Sequence, residues 1–275
     1  MATIDVAALW DFSRPEASEQ VFRALLKGAS RDDRAVLQTQ IARSLGLRHR
    51  FDEARAELAP LRAELPLLGA EARVRYHLEL GRSWISATHR PDEKTAAARA
   101  AARMAYQRAI ELARGAGLDD LAIDALHMLP FVETDEVLGL AWNQQALALA
   151  LQSTQPAARR WESSLRNNIG VSLHQMGRLD EALAMFQANI AVNERSVQPS
   201  KLRIAYWMVA WTLRGLGRID EALVIQLRLE QENAAAGSPD PYVFEELGLL
   251  FQAKGDADQA ALYAEKQARA RSGAK

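Results

Sequence analysis

Apolar and polar positions along this chain recur with a period of about forty residues, and each period holds two helix-length segments. The recurrence is clearest between "GRLDEALAMF" (177–186) and "GRIDEALVIQ" (217–226). In both stretches a glycine precedes an acidic pair, and the apolar residues that follow have helical spacing. Strand-type runs of Val, Ile and Thr are missing, and alanine, the best helix former, dominates the apolar set. The pattern therefore predicts an all-α chain.

The alanine after the acidic pair sets the register of the repeats. Such a pair precedes Ala54, Ala182 and Ala222, and a weaker Asp-Gln precedes Ala260. Two further candidates are Ala102 and Ala141, and the six alanines are about 38 to 48 residues apart. This period is typical of stacked helix pairs. Upstream of three of them, Gly81, Gly170 and Gly248 each follow an apolar residue and have another apolar or aromatic residue three positions later. We expect these glycines where two helices cross closely, each faced by the aligned alanine of the partner helix.

The register predicts helix pairs at about 30–64, 70–115, 118–152, 157–195, 199–236 and 240–272. Residues 1–29 are predicted to be a capping segment with one helix, because the end of a repeat array (30–275) would otherwise expose its apolar face. His49 stands where other repeats have a turn glycine, and Gln226 replaces an aromatic residue. Extra residues at 86–99 predict a mobile loop or a longer second helix, with His89 exposed to solvent. Pro130 is expected to shorten a helix of the third pair.

The order of small residue, apolar residue, glycine turn, Asp-Glu-Ala and aromatic residue resembles the tetratricopeptide repeat. The stretch "LRNNIGVSLHQMGRLDEAL" (165–183) is most similar to the longer repeats of the kinesin light chain type. The resemblance covers about residues 30–272. It implies a right-handed α-α superhelix of about six helix pairs with an extra N-terminal helix. It also implies that the first helices of the pairs line a concave groove, which binds a peptide or protein segment.

Candidate groove residues follow from matching each repeat to the family pattern. Trp207 and Trp211 are four residues apart on one helix and, with Met208, would form an apolar shelf; alternatively one tryptophan packs inside the stack. Asn167 and Asn168 would bond a peptide backbone, or else face solvent or a neighbouring helix. The other predicted groove residues are Val171, His174, Tyr242, Glu245, Arg43 and Arg82. The two arginines would face an acidic stretch of ligand, or pair with nearby acids.

Composition excludes several kinds of chemistry. The formal net charge of −1 gives no bulk attraction to nucleic acid or to an anionic membrane. There is no cysteine, and the five histidines lack the spacing of a helical metal site, so we expect neither a metal nor another cofactor. No phosphate-binding loop or nucleophile elbow is present, so we expect no enzymatic activity. The start does not resemble a signal peptide and no apolar run could span a bilayer, so we expect a cytoplasmic protein.

Three functions remain open from the residues. The first is an adaptor that holds a peptide or protein segment in the groove. The second is a ligand-responsive regulator that acts through a partner. The third is a structural module whose groove is filled by its own terminal helix or by a second copy. A monomer or a weak homodimer is expected.

Overall fold

A computed structural model describes residues 4–196 and 199–273 of the chain. Within those residues every regular element is a helix, which confirms the predicted all-α fold. The chain divides into two compact units, Met1–Trp161 (unit 1) and Glu162–Lys275 (unit 2). No described helix is both long enough and apolar enough to cross a bilayer.

Unit 1 consists of an N-terminal helix followed by three helix pairs. Its helices are α1 (Pro15–Leu25), α2 (Arg31–Leu47), α3 (Phe51–Leu58), the single turn α4 (Leu61–Glu64), α5 (Ala70–Trp84), α6 (Ala96–Gly115), α7 (Asp119–Met128), α8 (Glu136–Gln152) and the single turn α9 (Pro156–Arg159). The pairs are α2 with α3, α5 with α6, and α7 with α8, and α1 packs on α2. Successive first helices α2, α5 and α7 also contact one another.

Unit 2 consists of three further helix pairs. Its helices are α10 (Glu162–Gln175), α11 (Leu179–Ser196), α12 (Pro199–Gly215), α13 (Ile219–Ala235), α14 (Pro241–Ala253) and α15 (Ala257–Gly273). Each helix packs on the next along the chain. The prediction of about six helix pairs with an extra N-terminal helix is confirmed. The division into a capping segment at 1–29 and an array at 30–275 stays a prediction.

Turns between the two helices of a pair need a left-handed backbone residue. Gly177 and Gly217 supply it with φ of 73° and 74°. In unit 1, His49 takes the same conformation at φ 60°, where a side chain is disfavoured. The turns are closed by backbone hydrogen bonds, such as the 2.9 Å bond from the Arg178 N–H to the Leu173 carbonyl. This is the usual way to satisfy the carbonyl groups at the end of a helix.

The helices of two pairs touch through a glycine and an aromatic ring. A Cβ placed on Gly170 would lie 2.4 Å from the Phe186 ring, and one on Gly81 would lie 2.5 Å from the Tyr106 ring. Both rings are fully buried. The closest neighbour of each glycine is therefore this ring rather than the aligned alanine. At Gly248 the nearest atoms would be 3.8 Å away, an ordinary contact.

The fifth repeat lacks this aromatic ring. Gln226, which replaces it, is fully buried. Neither its amide oxygen nor its amide nitrogen has a hydrogen-bond partner within the described residues. Such an interior amide is destabilising, because it has lost its water and gained no partner.

The segment between α5 and α6 is held in place by His89. This side chain is 7% exposed, and its ring stacks on Phe51 with centroids 3.6 Å apart. Its Nδ1 accepts a 3.1 Å hydrogen bond from the Ser86 N–H, and burial lowers its pKa. The expectation that His89 is exposed was therefore wrong, because a ring from the preceding repeat covers it. The following helix α6 has 20 residues, more than any other described helix.

Candidate functional site

The first helices of unit 2 carry a strip of aromatic side chains. The rings of His174 on α10 and Trp211 on α12 stack at 3.4 Å, and Trp207 lies 6.0 Å from Trp211. The indole N–H of Trp207 donates to the backbone carbonyl of Tyr242 on α14 at 3.3 Å. We call His174, Trp207, Trp211 and Tyr242 the aromatic face. It joins three consecutive repeats, since three of the rings stack in turn and the Trp207 indole bonds the backbone of Tyr242.

The aromatic face keeps part of its surface open to solvent. Tyr242 is 62% exposed, and both tryptophans and His174 are half-buried. Met208, by contrast, is only 8% exposed, so it adds little to the apolar shelf. Ile204, one turn before Met208, is 55% exposed and extends the apolar surface along α12. Exposed aromatic side chains are preferred anchors in interfaces, because they bury a large area with few rotatable bonds.

A cavity of about 610 Å³ opens beside Trp207 and Tyr242. Ile204 and Met208 line it, and Arg203 supplies a positive charge to its wall. Arg203 makes no hydrogen bond or ion pair with another residue in the described part of the chain. It was not among the residues predicted from the sequence. The sequence feature that could have indicated Arg203 is its position directly before Ile204, which is exposed.

Two polar atoms beside the aromatic face are buried without a partner. They are the side-chain oxygen of Asn167 and Nε2 of His174. Burial, and then the charge of Arg214, lower the pKa of His174, so the ring is neutral at pH 7. Asn168 and Val171 are half-buried on the same helix, and Asn168 has interactions with its surroundings. This end of the face therefore has two acceptors that are covered from solvent and unpaired within the described residues.

Charged residues beside the face are paired with each other. Arg214 donates from Nε to Oε1 of the buried Glu246 at 2.6 Å. Glu245 is exposed and forms a 3.1 Å ion pair with Arg271. Apart from Arg203, the aromatic strip thus lies beside paired charges, and its surface is mainly apolar.

The predicted arginines of unit 1 belong to an interior ion network. Arg82 binds Oε1 of Glu79 at 2.5 Å and also donates to Asp124. Arg43 lies 3.6 Å from Glu79 and 3.8 Å from Asp124. The four residues line one side of a cavity of about 220 Å³, which we call the charged cavity. Both arginines therefore have acidic neighbours within the protein.

Asp124 completes this network and was not predicted from the sequence. Burial alone would raise its pKa, but the charges of Arg82 and Arg43 outweigh burial and hold the pKa below its ordinary value. Asp124 lies in the degenerate third repeat, which the register describes poorly. The sequence feature that could have indicated Asp124 is that it is the single acid within the apolar run "LAIDAL" (121–126), one repeat period after Arg82.

The geometry of both sites suits noncovalent binding. Within the described residues, no three or more His, Cys, Asp or Glu side chains are grouped so that they could hold a metal ion. The aromatic face offers apolar surface and unpaired polar atoms, and the charged cavity offers balanced charges.

A comparison with known families identifies the repeats. The profile described as "Tetratricopeptide repeat" matches residues 161–228, which contain α10 to α13. Residues 161–228 therefore carry the tetratricopeptide-repeat pattern. The matched TPR segment carries His174, Trp207 and Trp211, so most of the aromatic face lies within it. No curated protein sequence matches the chain.

Solved TPR structures share the fold. A Signal Transduction ATPase with Numerous Domains protein with a tetratricopeptide repeat sensor, from Pyrococcus horikoshii, matches 93% of this chain at 10% identity and a TM-score of 0.72. This chain spans only 39% of that protein. NprR in complex with its cognate peptide NprX matches 97% of this chain and 79% of its own, at 13% identity and a TM-score of 0.50.

Two further structures match. The apo form of the quorum sensor NprR from B. thuringiensis matches 95% of this chain and 83% of its own, at 10% identity and a TM-score of 0.51. TPR-like repeats of a putative kinesin light chain from Podosopora anserina match 82% of this chain and 87% of theirs, at 14% identity and a TM-score of 0.32. At identities this low, the likeness to NprR and to the Pyrococcus protein concerns the fold alone.

Proposed function

We propose that the aromatic face binds an extended peptide segment of a partner protein, so that the chain acts as an adaptor. The observation that carries the proposal is a strip of four partly exposed aromatic side chains across three repeats. The rings of His174, Trp211 and Trp207 stack in turn, and the Trp207 indole N–H is bonded to the backbone of Tyr242. TPR proteins commonly bind peptides, and NprR has been crystallised with one. Apolar peptide side chains would displace water from the rings, which is the main source of affinity in such a groove.

Polar groups around the face would set the position of the peptide. The amide oxygen of Asn167 and Nε2 of His174 are buried without partners, so their side chains would have to turn toward the peptide before they could bond it. At the other end, Arg203 would bind a carboxylate beside the 610 Å³ cavity. The preferred segment therefore has one large apolar or aromatic residue next to an acidic one.

A displayed peptide library selected against the purified protein tests this proposal. The best peptide is labelled, and its affinity is measured by fluorescence anisotropy for wild type, Trp207→Leu and Trp211→Leu. We expect each substitution to weaken binding by at least about tenfold, or roughly 1.4 kcal/mol. Trp142→Leu is the control, since Trp142 is also half-buried but belongs to unit 1.

The proposal is contradicted if Trp207→Leu and Trp211→Leu bind the peptide as wild type does, or if Trp142→Leu is equally harmful. Urea unfolding of every variant separates a loss of binding from a loss of fold. Light scattering of the same samples tests the self-associating alternative, in which a second copy covers the face. The absence of enzymatic activity, the lack of nucleic-acid binding and the cytoplasmic location stay predictions.

A further inference from the structure

The charged cavity of unit 1 contains an arginine whose hydrogen-bonding groups are unused. The side chain of Arg43 is 26% exposed, and its nearest carboxylate oxygens are 3.6 and 3.8 Å away, beyond hydrogen-bond distance. Within the described residues it makes no hydrogen bond, and its remaining contact is with the Phe12 ring at 5.4 Å. A planar guanidinium has five N–H donors, which suit a carboxylate. Arg43 therefore offers a place for an anionic group.

The same cavity contains an unused acceptor. Glu79 is 3% exposed, and its Oε1 serves both Arg82 and Arg43. Its Oε2 is buried and has no partner within the described chain. An unpaired buried carboxylate oxygen is strongly unfavourable, so a group with N–H donors would be stabilised beside it.

The charges already present decide what can enter. Arg43 and Arg82 balance Glu79 and Asp124, and His127 is neutral at pH 7 because burial lowers its pKa. A ligand with a net charge would leave that charge uncompensated in a partly dehydrated space. A ligand with one positive and one negative group adds no net charge.

Size and lining restrict the ligand further. The volume of about 220 Å³ is below the ~300–1,000 Å³ of sites for drug-sized molecules. The lining also includes apolar side chains, namely Leu47, Met128, Phe131 and Trp161. The space therefore suits a small molecule with one apolar group.

We infer that the charged cavity binds a free apolar α-amino acid. Its carboxylate is held by Arg43, its ammonium group by Glu79, and its side chain by the apolar lining residues. The site lies wholly within unit 1 and does not depend on the aromatic face. It would make the chain responsive to a small metabolite as well as to a peptide.

Thermal denaturation and isothermal titration calorimetry with single L-amino acids test the inference. We expect at least one apolar amino acid, such as leucine or phenylalanine, to raise the melting temperature and to bind saturably. Two matched analogues of that amino acid, the amine without the carboxylate and the acid without the ammonium group, should bind at least about tenfold more weakly. The N-acetyl and amide derivatives should fail in the same way, because each lacks one charge.

Variants of the charged cavity show whether the amino acid binds there or stabilises the protein in some other way. Arg43→Met should abolish binding, and Arg43→Lys, which keeps the charge but loses the planar donors, should restore part of it. Arg214→Met is the matched control, since it breaks an arginine–glutamate pair in unit 2. Trp207→Leu should leave amino-acid binding unchanged, whatever its effect on peptides.

Three outcomes would overturn the inference. The first is that none of the common amino acids binds at millimolar concentration. The second is that the carboxylate-only or amine-only analogue binds as tightly as the amino acid. The third is that Arg43→Met and Arg43→Lys fold and bind as wild type does.

Discussion

In unit 1 the first helices α2, α5 and α7 meet through charged side chains, whereas in unit 2 the first helices α10 and α12 meet through stacked rings. Between α12 and α14 an indole hydrogen bond stands beside the Arg214–Glu246 ion pair. Arg43 and Arg82 follow the small residue of their repeats, and Trp211 follows the small residue of the fifth repeat. The same position in the repeat is thus occupied by a charged side chain in unit 1 and by an aromatic side chain in unit 2. The arginines are neutralised by Glu79 and Asp124, while the rings stay partly exposed.

This difference separates side chains that need charged partners from side chains that can be left partly exposed. A charge in a crowded place must be compensated, so an arginine there recruits acids from the protein itself. An aromatic ring has no such requirement and can be left half-covered. The position in the repeat therefore predicts where a side chain lies but not what remains for a partner.

The largest effect is expected from breaking the ion network of unit 1. Arg82→Met leaves Glu79 and Asp124 with only the distant Arg43, so the free energy of unfolding should fall by about 3–5 kcal/mol. Arg178→Met is the control, because Arg178 pairs with Glu181 on the surface and should lose at most about 1 kcal/mol. Urea unfolding followed by circular dichroism measures both. Equal losses would show that the network is not an interior one.

Replacing the glycine of a glycine–ring contact should cost a similar amount of stability in unit 1 and in unit 2, although the first helices of the two units carry different side chains. Gly81→Ala and Gly170→Ala force a methyl group into the Tyr106 and Phe186 rings, so each should destabilise by about 1–3 kcal/mol. Gly248→Ala has room and should be neutral or stabilising by roughly 0.5–1 kcal/mol. Thermal unfolding of the three variants is the measurement. A penalty at Gly248 equal to the others would argue against the ring contact as the cause.

The turns of the two units also differ, and His49 tests this. His49→Gly relieves a left-handed residue that Gly177 and Gly217 accommodate freely in unit 2. Since the strain of roughly 1–2 kcal/mol is partly offset by the greater freedom of glycine in the unfolded chain, stability should rise by about 0.5–1 kcal/mol. His49→Ala, which keeps the strain, should give no gain in the same urea experiment.

The smallest expected effect is a pH response of the aromatic face. Burial lowers the pKa of His174 below 6.5, so the folded state binds its proton less readily than the unfolded state. This contribution to stability is complete above pH 6.5 and is lost as the pH falls through the folded-state pKa. His174→Phe should remove the part of this acid-induced loss of stability that His174 causes. Other buried histidines share the direction, so the difference between variant and wild type between pH 7 and pH 5 is the quantity to compare.

The fold could be predicted from the sequence largely because its constraints are local. Turn glycines such as Gly177, acids at helix starts and the period of the alanines all act within a few residues. The position of His89 could not be predicted in this way, because its burial depends on Phe51 from the preceding repeat. The ring against Gly170 was likewise missed, since an alignment shows small residues but not which side chain fills the space.

The candidate site was only partly predictable for the same reason. Helical spacing placed Trp207 and Trp211 on one face, and matching of the repeats predicted His174 and Tyr242 beside them. The structure adds how they are joined, through the stacking of His174 on Trp211 and the hydrogen bond from Trp207 to the Tyr242 backbone. The spacing did not indicate that Met208 would be covered. Nor did it indicate that Asp124, some forty residues away, would be a partner of Arg82. Ion pairs between repeats depend on how the helices of neighbouring repeats stack. The residue pattern of a single repeat does not contain this information.

The ion network also limits which amino-acid substitutions this chain can accept during evolution. A mutation at any one of Arg43, Glu79, Arg82 or Asp124 leaves an opposite charge stranded in the interior, so single changes should be purged by selection. Homologous proteins are therefore expected to inherit all four residues or to have exchanged them as a set for apolar ones. The surface pair of Arg178 and Glu181 should drift independently, and an alignment of homologues would display the two behaviours side by side.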